Sequence, residues 1–206
     1  MTQTLENAVN LPEEQRFFRH GLSWEQFKAI QASFENVPGV RLFYCQGILE
    51  IVTIGKPHEV IKCLIAGLLI TYFEVKGIEF FPSGSLSQII PEIVEYQADL
   101  SYCFGNDKPV PDLCVEVVIT SGSPIKLQKY KLMGVPEVWF WEDGTIEVYC
   151  LREQEYEKVV KSELLAELDL SLLNRCVLLS LPWKRLESFV KIFNSNSRFK
   201  RNKMGY

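Results

Sequence analysis

A run of apolar residues at 113–119, LCVEVVI, is broken only by Glu116. Such a run reads as a central strand covered on both faces, because a half-exposed strand would alternate with polar residues. The residues that follow extend the constraint. Ser123 and Pro124 start a helix over 124–133, and Gly134 stops it. Strands at 138–141 and 145–151 then flank Glu142-Asp143-Gly144, a hairpin signal. Strand, helix and hairpin in that order predict an α/β domain with a mixed β-sheet flanked by helices.

The rest of the chain fits that plan. Ser23 caps a helix with Gln26 as its capping-box partner, and Trp24, Phe27, Ile30 and Phe34 give it an apolar face. Segments 39–45 and 48–53 read as a hairpin about Gln46-Gly47. Pro57 opens a long helix that Gly77 ends, with Leu64, Leu68 and Phe73 toward the sheet. Short strands are predicted at 78–81, 86–90, 98–104 and 156–160, a turn at 106–109, and a terminal helix over 183–193. The expected organisation is an N-terminal arm at 1–20, one domain over 21–195 and a basic tail at 196–206.

Composition narrows the function. At 47% hydrophobic and 23% charged the chain is ordinary globular protein. A net charge of -4 lacks the basic balance of most DNA-binding domains, so a nucleic-acid contact needs a local basic surface. Lys184, Arg185, Lys191, Arg198, Lys200, Arg201 and Lys203 cluster toward the end, and a solvated tail is their ordinary reading. The six cysteines form no CxxC pair, and with His20 and His58 they give no zinc spacing, so free thiols in a reducing cytoplasm are expected. Residues 1–15 lack the features of a signal peptide. The apolar stretch 60–75 is too short and too polar to span a membrane. The surface of Trp139 and Trp141, with the apolar segments 170–173 and 177–181, predicts a homodimer.

Three residues are candidates for chemistry: Asp99 in QADLSYCF, Glu116 in the buried strand and Lys126 in the next helix. A buried charge is costly unless paired or bound to metal. Two carboxylates suit a hard cation such as magnesium, and a lysine steadies charge developing on a phosphate. By spacing alone the set reads more readily as a solvated Asp99 and a Glu116–Lys126 ion pair than as a catalytic site. Tyr130 lies four residues after Lys126 on the same helix face. Lys129 and Lys131 are expected to face solvent, and Asp112 is expected to be a turn or edge residue. The Ser121-Gly122-Ser123 loop lacks a phosphate-loop pattern.

Four stretches carry a family resemblance: GILEIVTIGKPHE at 47–59, YQADLSY at 96–102, PDLCVEVVITSG at 111–122 and KLQKYKLMGVPEVWFWEDGTIEVYCL at 126–151. Together they resemble the Uma-type family of putative restriction endonucleases, within the PD-(D/E)XK nuclease-like superfamily. The resemblance implies a restriction-endonuclease-like fold and a metal-dependent endonuclease hydrolysing DNA with Mg2+ or Mn2+. It places the metal-binding acids on Asp99 and Glu116, the lysine, shifted onto the following helix, on Lys126, and a further acidic contact on Glu50. Ala98 stands where the motif prefers proline. His58, in the family's HE pair, is expected to cap or pack its helix rather than touch substrate or orient Glu50. The alternative is a catalytically inactive scaffold, or an accessory subunit of a DNA-processing or defence system, since fold does not decide function.

Overall fold

The computed structural model describes residues 15–84, 87–118 and 125–179, with side chains from 127 onward in the last stretch. Its elements are β1 (Gln15–His20), α1 (Trp24–Ser33), β2 (Val40–Cys45), β3 (Ile48–Thr53), α2 (Lys56–Lys76), β4 (Phe80–Pro82), β5 (Ser87–Ile90), β6 (Val94–Gln97), β7 (Leu100–Phe104), β8 (Leu113–Val118), α3 (Ile125–Met133), β9 (Glu137–Glu142), β10 (Thr145–Leu151), β11 (Tyr156–Val159) and α4 (Leu170–Leu178). The chain is α/β with a mixed sheet, as expected, and it carries a second sheet as well. The first sheet, ordered β1-β3-β2-β6-β5, is wholly antiparallel. The second, ordered β11-β10-β9-β8-β7-β4, is mixed through the parallel pair β8–β9.

Local chemistry sets the elements. Ser23 and Gln26 form the full capping box of α1. Loss of the Ser23 hydroxyl frees one backbone donor, so Ser23→Ala should cost about 1 kcal/mol in a denaturant melt. Two-residue loops close the β2–β3 and β9–β10 hairpins. Gln46-Gly47 and Asp143-Gly144 both have positive φ throughout, which matches the twist of the flanking strands. Gly77 caps α2 in the left-handed conformation.

All six residues of β8 are buried. Leu113, Val115 and Val117 face a core built with α2 and α4, which includes Trp139 and Trp141. Cys114 and Val118 face a second core, with Phe43, Val52, Tyr96, Tyr130 and Phe140. The first sheet, α3 and the second sheet meet there, and Glu116 projects into it by alternation. A third, smaller core packs α1 on β2 and β3 through Phe27, Tyr44 and Leu49.

Several expectations change. Residues 15–20, read as part of the arm, form β1 and pair with β3. Strand β6 arises from 94–97, and the following strand starts only at Leu100. The 170–178 segment is a helix, capped by Asp169, and its Leu172, Leu173, Cys176 and Val177 fill the chain's own core. Trp139 and Trp141 are also buried within the chain, so these side chains provide no surface for a dimer. The expected helix at 183–193 and the tail at 196–206 lie outside the described residues. Every described cysteine is free. Among the described residues no helix is long and apolar enough to cross a membrane.

Candidate functional site

Asp99 sits in the bend between β6 and β7, one residue before the β7–β8 ladder begins at Leu100 opposite Val115. One step back along that register lies Glu116. The Asp99 Oδ2 atom accepts the Val117 N–H at 2.8 Å, so the carboxylate continues the ladder where the main chain turns away. This bond ties Asp99 to the peptide that joins Glu116 to Val117. Ala98 serves the bend without a proline ring, and its side chain is buried in the core beside Tyr96.

Both Asp99 oxygens have basic neighbours. Arg41 of β2 donates to Oδ1 at 2.7 Å, and His58 Nε2, from the first turn of α2, lies 3.0 Å from Oδ2. Burial opposes ionisation of Asp99. The hydrogen bond and charge of His58, the Arg41 guanidinium and the Val117 N–H outweigh it and hold the carboxyl well below its ordinary range. His58 is therefore neither a cap nor mere packing. It is buried against a predicted site residue.

Glu116 has different partners. Tyr130 donates its hydroxyl to Oε1, and Lys129 Nζ lies 3.2 Å from the same oxygen. Burial first, and then the Glu116 charge, push the Tyr130 phenol well above its usual pKa, so it remains a donor. Lys129, expected in solvent, is 4% exposed. Its ammonium lies over Phe43 at 4.5 Å, Tyr130 at 5.1 Å and Tyr96 at 5.3 Å from the ring centroids. Lys131 meets the other expectation in part, pairing with the exposed Glu155 at the surface.

Glu50 is buried on β3 opposite Phe43 and pairs with Arg16 of β1 at 2.7 Å. Strand β2 links the three acids. Arg41 reaches Asp99, and Phe43, two residues on and on the same face, lies under the Lys129 that pairs with Glu116 and opposite Glu50. Lys126 lies in the first turn of α3, but its side chain is outside the described set. Asp112 is the turn residue expected, accepting the Phe104 N–H at 2.7 Å and pairing with Lys108.

Arg41, Lys129 and Arg16 were not singled out as partners of these acids. Helical spacing could have flagged Lys129, which stands three residues after Lys126 and so falls on the same helix face by spacing. Nothing comparable marks Arg41 or Arg16, whose partners are 58 and 34 positions away.

The donor set suits a hard divalent cation in its chemistry, since it offers buried carboxylate oxygens on neighbouring positions. Magnesium commonly takes only one or two protein carboxylates and keeps its waters. Among the described residues no three His, Cys, Asp or Glu side chains gather as a ready metal cluster.

The layout defines an α/β protein with buried acid–base pairs where the mixed sheet meets a second sheet. The chain belongs to the Uma2 family, described as "Putative restriction endonuclease", whose family model matches residues 24–180. A crystal structure of a putative nuclease from Anabaena variabilis ATCC 29413 is similar at 16% identity, with a TM-score of 0.47, over 82% of this chain and 99% of that one. No curated protein matches the chain.

Proposed function

We propose that this protein is a metal-dependent endonuclease of the PD-(D/E)XK type that hydrolyses phosphodiester bonds in DNA. The observation that carries the reading is the placement of two buried carboxylates, Asp99 and Glu116, across the end of the β7–β8 ladder in a chain of this family. Asp99 and Glu116 would hold the Mg2+ or Mn2+ ion, which when bound polarises the phosphate and makes water a better nucleophile. The protein's own groups have distinct tasks. The Val117 N–H, Arg41 and His58 keep Asp99 ionised and oriented. Glu50, steadied by Arg16, offers a further acidic contact to metal or water. Lys126, on α3, stabilises the negative charge that develops on the phosphate.

The rest of the reading follows the sequence. The domain includes β1 and so begins by residue 15 rather than 21, and the basic residues at 196–206 would supply a contact to DNA. The free thiols suit a cytoplasmic protein. A homodimer would give a duplex two sites, and light scattering at micromolar concentration tests it.

Lys126→Ala separates charge stabilisation from metal binding. Turnover should fall by roughly 100- to 1,000-fold, as when one preorganised donor to a developing charge is lost, while Mn2+ affinity measured by calorimetry stays within about twofold. An equal loss of metal affinity would remove Lys126 from that role.

One observation favours the second reading, an inactive scaffold or accessory subunit. Each of the three acids already has a basic partner within 3.2 Å. In that reading wild-type protein has no turnover for any substitution to change.

A further inference from the structure

We infer that Lys129 is a resident counter-ion which occupies Glu116 in the metal-free protein and yields it to the divalent cation, so that metal occupancy is set by competition between the two. The inference rests on the metal-dependent reading above and extends it to a residue outside the expected catalytic set.

The charges require some such arrangement. Glu116 is 5% exposed and Lys129 4% exposed. A buried carboxylate left alone would be strongly unfavourable, and so would a buried ammonium. Their contact at 3.2 Å compensates both. A dication approaching Glu116 meets a carboxylate already neutralised and a positive charge beside it. At Asp99 it meets a second, Arg41, at 2.7 Å. Both repel it.

The aromatic surroundings make the exchange feasible. The Lys129 ammonium lies over the rings of Phe43, Tyr96 and Tyr130, all within 5.3 Å of the ring centroids. Rings at such distances attract a cation without a formal charge of their own. Lys129 therefore keeps a favourable environment when Glu116 turns to a metal. Tyr130 donates its hydroxyl to Glu116 Oε1 and so helps to orient that carboxylate. Lys129 is thus a positioning residue for Glu116, acting through charge.

The test is Mn2+ binding by calorimetry on the full chain, with thermal melts with and without Mn2+, for wild type, Lys129→Met, Lys129→Gln and Lys129→Arg. Removing the charge should tighten Mn2+ binding by about tenfold or more in the Met and Gln variants, while Arg, which keeps it, stays near wild type. The Mn2+-induced rise in melting temperature should be larger in the neutral variants. A merely structural lysine would lower the melting temperature without tightening metal binding. If a neutral variant is unfolded alone, folding restored by Mn2+ supports the competition, and failure to restore either variant overturns it.

Glu116→Gln in each background separates the inference from the reading beneath it. Wild-type-like Mn2+ affinity in the Met and Gln variants, lost on Glu116→Gln, overturns the competition and leaves the metal site standing. Mn2+ binding that survives Glu116→Gln, or is absent in every variant, overturns both.

Discussion

Asp99→Ala should abolish DNA cleavage and weaken Mn2+ binding together, and should also lower the stability of the fold. The first two effects follow from the proposed role of Asp99 as a metal ligand. The third follows from what Asp99 compensates: Arg41 at 2.7 Å, His58 at 3.0 Å and the Val117 N–H at 2.8 Å all lose their acceptor. Removing one partner of a buried charge pair costs about 3–5 kcal/mol, or roughly 6–20 °C in melting temperature for a chain of this size. The effect depends on pH. The folded-state pKa of Asp99 lies below its unfolded value, so its stabilisation is complete above the unfolded value, near 4, and fades as pH falls toward the folded one. The melting-temperature gap between wild type and Asp99→Asn should accordingly narrow below about pH 4. A gap that widened there would contradict the assignment of the Asp99 charge.

Glu116→Ala is the second large effect. It leaves Lys129 as a buried ammonium without its carboxylate and takes the acceptor from Tyr130. A destabilisation of about 3–5 kcal/mol is expected. The double variant Glu116→Leu with Lys129→Met should recover most of that loss, because both charges leave the core together and apolar groups of similar size replace them. Additive losses in the double variant would show that the pair does not act as a unit. Cleavage should be absent in both the single and the double variant.

Much of this site was legible from residue type and local pattern. The apolar run of β8 marks Glu116 as a charge in a central strand, and the family resemblance places the first metal-binding acid on Asp99. Capping chemistry at Ser23, the Pro57 and Gly77 ends of α2 and the two-residue hairpins fixed the elements around them. The partners were less legible, because ion pairs such as Arg41–Asp99 and Arg16–Glu50 join residues remote in sequence, and sequence periodicity carries no information about which strands become neighbours. Strand β1 was missed for the same reason. Its pattern alternates poorly, with all but one of its six residues exposed, so pairing with β3 rather than a buried face holds it. Helix α4 was read as exposed apolar surface, although Leu172, Leu173, Cys176 and Val177 at i, i+1, i+4 and i+5 form a helical stripe. Lys129 departs from the expectation of a solvent-facing lysine because three aromatic rings and one carboxylate make its burial tolerable.

In the proposed function Asp99 and Glu116 form a metal-dependent phosphodiester-cleaving site. The most direct measurement is cleavage of labelled single-stranded, duplex and branched DNA by purified wild-type protein with Mg2+, with Mn2+ and with EDTA, beside Asp99→Ala. Wild-type protein should cut at least one substrate with a divalent metal and none with EDTA, and Asp99→Ala should cut none. Absence of cutting on all three substrates with either metal, or cutting by Asp99→Ala at the wild-type rate, would contradict the proposed function.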